Sequence, residues 1–246
     1  MSSTKTKRYL VLLAAVGLVA AALGGTGTFA SFNAETTNAG NYFATGTLLL
    51  SNKTPTQSAC LSGGDAGHPG ASGNVNNGCD VVLFGTNLYP GATAITGGLT
   101  IKNDGSIDAS DLKLSTAGCT PSTDTTTVSG FNNGNLCNSV LMYVQEWTGS
   151  IGGTASHCWF GKDDGANTCL TNFAGATTAA DSIATFATTY ATPGADLSPS
   201  PLSGALPATT GTRYFTVGLY LPSAGAGDNA FQGLRATFPL TWHIDS

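Results

Sequence analysis

The chain has 246 residues, of which 9 % are charged, 41 % are hydrophobic and 33 are glycine. Nine Lys plus Arg against 14 Asp plus Glu give a net charge of −5, which excludes the basic footprint of a nucleic-acid-binding protein. The hydrophobic share suffices for a real core and the glycines announce many turns, so the length reads as one domain with large loops.

At the amino end Lys5, Lys7 and Arg8 precede an apolar run over residues 9–23, followed by Gly24-Gly25-Thr26-Gly27-Thr28-Phe29-Ala30. A cationic start, an apolar centre and a small-residue finish make a signal peptide. The run is also shorter than the ~20 apolar residues that a spanning helix needs. Thr28 and Ala30 supply the small side chains ahead of the cut, so a signal peptidase is expected to cleave between Ala30 and Ser31. That removes 1–30 and leaves 31–246 as a single β-sandwich domain. No second apolar stretch approaches membrane length, and the chain stops at Trp242-His243-Ile244-Asp245-Ser246 without an apolar tail. The expectation is a protein secreted to the extracellular matrix or cell surface, with no membrane contact after cleavage. Cleavage also removes three cations and no acidic residue, so the exported form is more acidic still.

Strand signals dominate the exported part. Candidates are 42–51, 81–88, 93–102, 109–115, 139–147 and 214–221. A seventh, 234–244, is the clearest: Leu234, Ala236, Phe238, Leu240, Trp242 and Ile244 alternate with Arg235, Thr237, Pro239, Thr241 and His243. Period two means one buried face and one wet face. Pro239 has no N–H for a ladder, which places that strand at a sheet edge or beside a bulge. Seven short strands parted by turns such as Tyr89-Pro90-Gly91 and Asn103-Asp104-Gly105-Ser106 predict an all-β fold, an antiparallel jelly-roll-like β-sandwich. Two stretches near 117–138 and 149–212, rich in Gly, Ser, Thr, Ala and Pro, read as loop insertions. Within the second, Ile183, Phe186, Ala187 and Tyr190 share one face at helical spacing and predict one short helix, while Pro193, Pro199, Pro201 and Pro207 mark an extended connector.

The six cysteines, Cys60, Cys79, Cys119, Cys137, Cys158 and Cys169, all lie in the exported part. An even count in an oxidising compartment favours disulfides over metal. Each neighbouring pair brackets a glycine-rich loop, so Cys60–Cys79, Cys119–Cys137 and Cys158–Cys169 are the expected bonds. Each would remove about 3 kcal/mol of denatured-state entropy.

Signals for chemistry are sparse. There is no His-Glu-x-x-His pair of imidazoles on a helix face, no Gly-x-Ser-x-Gly elbow and no phosphate-cradling glycine loop. His68, His157 and His243 are scattered, with His243 on the wet face of the last strand. No catalytic residue, metal site or cofactor is therefore expected. Asn103, Asp104, Asp108 and Asp111 crowd one turn and Asp163 with Asp164 another. Such oxygen-rich loops suit calcium, although they read equally well as solvated acidic turns.

Three groups of residues resemble one known family. They are Gly27-Thr28-Phe29-Ala30-Ser31-Phe32-Asn33-Ala34-Glu35 with Asn41-Tyr42-Phe43-Ala44-Thr45-Gly46-Thr47-Leu48; Asn87-Leu88-Tyr89-Pro90-Gly91 leading to Ile101-Lys102-Asn103-Asp104-Gly105-Ser106; and Asn229-Ala230-Phe231-Gln232-Gly233. In order and placement they are similar to the TasA and camelysin family of exported bacterial surface proteins. The resemblance covers the framework strands and not the two insertions. It implies a dedicated signal peptidase, a jelly-roll-like sandwich, and a role as the main fibre protein of a biofilm matrix, assembling with itself and with other matrix or cell-wall components. The six cysteines and the low charge depart from the best-known members. Some members carry a metallo-endopeptidase label, which is one competing reading. Another is a monomeric adhesin or carbohydrate-binding module, in which the loop aromatics Phe131, Trp159 and Phe160 would stack on sugars.

Cleavage would free an end carrying Phe32, Tyr42, Phe43, Leu48, Leu49 and Leu50. An apolar extended segment must pair somewhere, with its own sheet or with the open rim of a neighbouring subunit. Donation to the neighbour makes a head-to-tail contact that does not close and so grows a filament. Sequencing the amino terminus of secreted protein should return Ser31; an intact Met1, or a start within 9–23, would refute the cleavage.

Overall fold

The computed structural model describes residues 46–64, 81–84, 88–123, 134–191 and 206–245. The chain divides into two units, Met1–Thr45 and Gly46–Ser246, and every described residue belongs to the second.

The fold is an antiparallel β-sandwich. Its larger layer has six strands: β1 (Leu50–Lys53), β2 (Cys60–Leu61), β3 (Ile95–Asn103), β6 (Leu141–Thr148), β7 (Thr154–Phe160) and β8 (Thr212–Tyr220). They lie in the order β2-β1-β3-β8-β6-β7, each antiparallel to its neighbours. The second layer contains β4 (Asp111–Ser115), β5 (Thr120–Thr123), β9 (Leu234–Thr237) and β10 (Thr241–Asp245). β4 pairs with β10, and β5 with β9. The two ladders continue one another, because Ser115 faces Thr241 on one side of the junction and Thr120 faces Thr237 on the other. Residues 116–119 oppose only 238–240 there, so one extra residue bulges out and bends a single long two-stranded ribbon. The period-two run 234–244 is thus split at Phe238-Pro239-Leu240, and Pro239 sits beside the irregularity and at an edge.

The main core fills the space between the layers. Leu99 and Ile101 of β3, Met142 and Val144 of β6, and Phe215, Val217 and Leu219 of β8 meet Leu114 and Trp242 of the ribbon. The Phe215 and Trp242 rings lie 4.6 Å apart. Among the described residues three short α-helices, α1 (Leu136–Ser139), α2 (Thr178–Asp181) and α3 (Ile183–Thr189), complete the cover. The predicted face of α3 delivers Ile183, Phe186 and Tyr190 to the core. Ser182 caps α3 by accepting a hydrogen bond from Thr185 N, as a helix start in water-poor surroundings requires.

Three expectations are corrected. First, the stretch 149–212 is not simply loop: it contains β7, α2, α3 and the first residue of β8. Likewise 117–138 contains β5 and most of α1. Second, the described part of 81–88 forms no strand; Val81, Leu83 and Phe84 instead pack across the core, with Leu83 against Gly97. An unbroken apolar run has no period by which to tell a strand from a buried crossing segment. Third, only Leu50 and Ser51 of the expected strand 42–51 are in β1; 46–49 is irregular and 42–45 lies outside the described residues.

The outer face of the six-stranded sheet has its own cover. Leu141 and Tyr143 of β6 pack with Phe173 and with Cys169, which is bonded to Cys158. Phe173 has φ of 54°, uncommon for a bulky residue, and is held there between the rings of Tyr143 and Tyr220. Tyr143 lies over Gly218, where an added Cβ would sit 2.0 Å from its ring. Gly218→Ala should therefore destabilise the fold by about 1–3 kcal/mol through overpacking. An unchanged urea midpoint would show that the ring is not seated there.

Candidate assembly site

β1 sets the geometry at the root of the amino-terminal segment. Leu50 to Lys53 pair with Asn103 to Thr100 of β3. Beyond the ladder, the turn after β3 keeps hold of the chain: Asp104 N donates to Leu49 O at 2.7 Å and Ser106 N to Thr47 O at 2.8 Å. Thr47 N donates in turn to Ser106 Oγ at 2.9 Å. Leu48 and Leu50 pack against Ala109, Leu206 and Ile244. Two segments that the sequence singled out separately, Gly46-Thr47-Leu48 and Asn103-Asp104-Gly105-Ser106, are therefore contact partners. Of the expected donor residues, Leu48, Leu49 and Leu50 belong to their own subunit's fold. Phe32, Tyr42 and Phe43, with the cleavage residues Ala30 and Ser31, lie outside the described residues.

The edges of the six-stranded sheet are poor templates for a further strand. On one side β2 is two residues long. On the other, β7 carries irregularities opposite Val144/Gln145 and Glu146/Trp147, and bulged edges resist pairing. The Trp159 carbonyl on β7 accepts from the Tyr190 hydroxyl at 2.9 Å. Burial pushes that hydroxyl up to about 12, so it stays a donor at any ordinary pH. The ribbon, two strands wide among the described residues, is the less protected layer. Its β5 is exposed at all four residues.

Disulfides fix the ribbon and the sheet cover as expected. Cys119, in the bulge, bonds Cys137 of α1 with an S–S distance of 2.00 Å, and Cys158 of β7 bonds Cys169 at 2.02 Å. Cys60 is disulfide-bonded too; its expected partner, Cys79, lies outside the described residues. Disulfides of this kind belong to a non-cytoplasmic compartment. No helix among the described residues is long and apolar enough to cross a membrane.

The remaining candidates separate. His157 sits edge-on to Trp159 at 4.3 Å, His243 lies 2.8 Å from Asp245, and His68 is outside the described residues. The oxygen-rich turns spend their carboxylates on their own structure. Asp104 bonds Lys102 and Ser51, Asp108 accepts from Ala208 N, and Asp164 accepts from Ala166 N and Thr168 N. Among the described residues no group of three or more His, Cys, Asp or Glu could hold a metal. Trp159 and Phe160 are not loop aromatics. They belong to β7 and pack on the core, Phe160 edge-on to Phe186 at 5.1 Å. Phe131 lies outside the described residues.

One polar cluster has no counterpart among the sequence expectations. Glu146 is 2 % exposed, pairs with Arg213 of β8 at 3.2 Å and accepts from the Trp159 indole at 2.8 Å. It ties β6, β7 and β8 together on the core side. Next to it Gln145, fully buried on the other face, accepts from Cys169 N at 2.6 Å and donates to the carbonyls of Glu146 and His157. The signal was present as a Gln-Glu pair inside an otherwise apolar strand.

No family model matches the chain, and no curated protein is significantly similar to it.

Burial raises the Glu146 pKa above the ordinary carboxylate range, only partly offset by Trp159 and Arg213. The folded state therefore takes up a proton that the unfolded chain takes up only at lower pH. Stability from this group rises as pH falls from neutral through the raised value, and levels off below the unfolded one. Glu146→Gln should remove that slope. Thermal melts of both proteins between pH 7 and pH 4.5 should diverge in slope; parallel profiles would contradict the raised value.

Proposed function

We propose that this chain is a secreted, non-catalytic structural subunit of an extracellular, biofilm-type matrix fibre, akin to TasA. It polymerises by giving the segment ahead of Gly46 as a strand to the next copy. One observation carries the reading: a six-stranded layer faces a ribbon that is two strands wide among the described residues, so a strand supplied from outside finds backbone partners at the ribbon's rim. Three features support it. The root of the donated segment is anchored in its own sheet, the disulfides suit an exported protein that must persist without a reducing cytoplasm, and the low charge lets like copies approach.

The test uses mature protein, 31–246, incubated and viewed by electron microscopy beside a variant lacking 31–40. The mature form should give filaments. The truncated form should give none while keeping its circular dichroism spectrum and melting temperature. Unaltered filaments from the truncated protein would replace strand donation with edge-to-edge contact. Casein cleavage that is lost on chelation, after copurifying proteases are excluded, would replace the structural role with a peptidase.

A further inference from the structure

We infer that the turn Asn103-Asp104-Gly105-Ser106-Ile107 is a clasp that fixes where the amino-terminal segment leaves the sandwich, making these residues positioning residues for assembly. This rests on the fibre reading of the chain.

A connection between β3 and β4 has no need of the amino-terminal chain. This one nevertheless directs its backbone toward it: Asp104 N and Ser106 N donate to the carbonyls of Leu49 and Thr47, and Ile107 N reaches the Thr47 carbonyl at 3.3 Å. The hold extends past the start of β1, to the carbonyls of Leu49 and Thr47. Gly105 permits the approach. A Cβ built there would lie 2.2 Å from the Thr47 oxygen and 2.7 Å from the Leu49 nitrogen, distances that backbone cannot yield cheaply. Gly46 has the reciprocal fit, since its added Cβ would lie 2.0 Å from a methyl of Ile107.

The clasp is stiff because Asn103 is part of the core. It is fully buried. Its Nδ2 donates to the Ile107 and Leu206 carbonyls, both at 2.9 Å, and its Oδ1 accepts from Gly105 N at 2.9 Å. Both amide hydrogens and the oxygen of one buried side chain are thus spent on shaping the turn and tying it to 206. Asp104 adds a side-chain latch, accepting from Ser51 Oγ at 2.5 Å and pairing with Lys102.

A donated strand transmits subunit spacing only if its root cannot swing. With the clasp broken, a subunit retains the ribbon that receives a strand but presents its own segment at no fixed angle. It should therefore join a filament end and fail to extend it.

The experiment compares mature wild-type protein with Gly105→Ala, and with the milder Ser106→Ala, which removes the hydroxyl that accepts from Thr47 N and lies 3.5 Å from Thr47 Oγ1. Both are checked for folding by circular dichroism and for release of 46–49 by limited proteolysis. The expected result is a folded Gly105→Ala protein that is cut near 46–49, forms no filaments alone and shortens wild-type filaments when mixed in at low ratio. Ser106→Ala should shift filament length or subunit repeat in the same direction, with restoration by Ser106→Thr. A merely structural turn would lower the melting temperature and leave length and repeat untouched, and that result overturns the clasp while sparing the fibre reading. If Gly105→Ala does not fold, the Ser106 pair decides alone, and unchanged filaments from Ser106→Ala overturn the proposal. Wild-type protein that never forms filaments defeats the fibre reading and the clasp together.

Discussion

Strands β6 and β8 are buried on both faces, and the rest of the molecule is arranged around that requirement. Leu141 through Glu146 are all buried, as are Phe215 through Leu219. A strand in this position needs a cover above and a cover below. The inner cover is the bent ribbon, helped by α3 and the crossing residues Val81, Leu83 and Phe84. The outer cover is the loop after β7, closed by Cys158–Cys169 and by the aromatic stack of Tyr143, Phe173 and Tyr220. A loop cannot offer a ladder of backbone partners, so the sheet lends it one: Gln145, pointing outward from the middle of β6, accepts from Cys169 N and fixes the loop by its main chain. The disulfide then limits how far that loop can stray in the denatured chain.

How much of this could be read in the sequence depends on whether burial leaves a period. β3 and β10 alternate, and α3 repeats at helical spacing, so each is legible. β7 is not: its irregular register against β6 breaks the alternation, and Thr154 to Cys158 look like the glycine- and threonine-rich surroundings in which they sit. β5 gives no signal because none of its residues is buried. Val81 to Phe84 give too much, since a continuous apolar run looks like a central strand although it only crosses one. The bonds Cys119–Cys137 and Cys158–Cys169 were legible because each closes a local loop. Glu146 showed only as half of a polar pair in an apolar strand; its partners Arg213 and Trp159 lie 67 and 13 residues away, and long-range pairing has no local signature.

With only 9 % charged residues, the chain places its few ion pairs with different consequences. Lys102–Asp104 and Lys113–Asp245 lie at the surface, where water and salt screen them and a pair is worth about 0–1 kcal/mol. Burial opposes ionisation of Asp104, but Lys102 and Ser51 outweigh it and hold the carboxyl below its usual range. Lys113 and His243 hold Asp245 low as well. Glu146–Arg213 is different. Its desolvation is expensive, and a hydrophobic replacement would pack at no loss. What a buried pair supplies is register, because only one alignment of β6, β7 and β8 brings carboxylate, guanidinium and indole together. That matters in a sheet whose small side chains, Gly97, Gly98 and Gly218 among them, specify alignment weakly.

The same concern for unique pairing explains how the strand edges are distributed. A β-rich, weakly charged protein is exposed to indiscriminate edge-to-edge association, since charge repulsion is too small to prevent it. The six-stranded sheet meets this hazard with a two-residue strand at one end and, at the other, a bulged strand whose Trp159 carbonyl is already taken by a tyrosine hydroxyl. The ribbon carries Pro121 in β5 and Pro239 at its bend, each lacking a donor, so a partner cannot slide along it in an arbitrary register. Protection is therefore uneven, strong on the wide layer and partial on the narrow one. On the strand-donation proposal, an added strand is admitted at one layer and in few alignments. In the proposed fibre, a root held by the turn after β3 would combine with that restriction to turn a general tendency of β-sheets to aggregate into association with a direction.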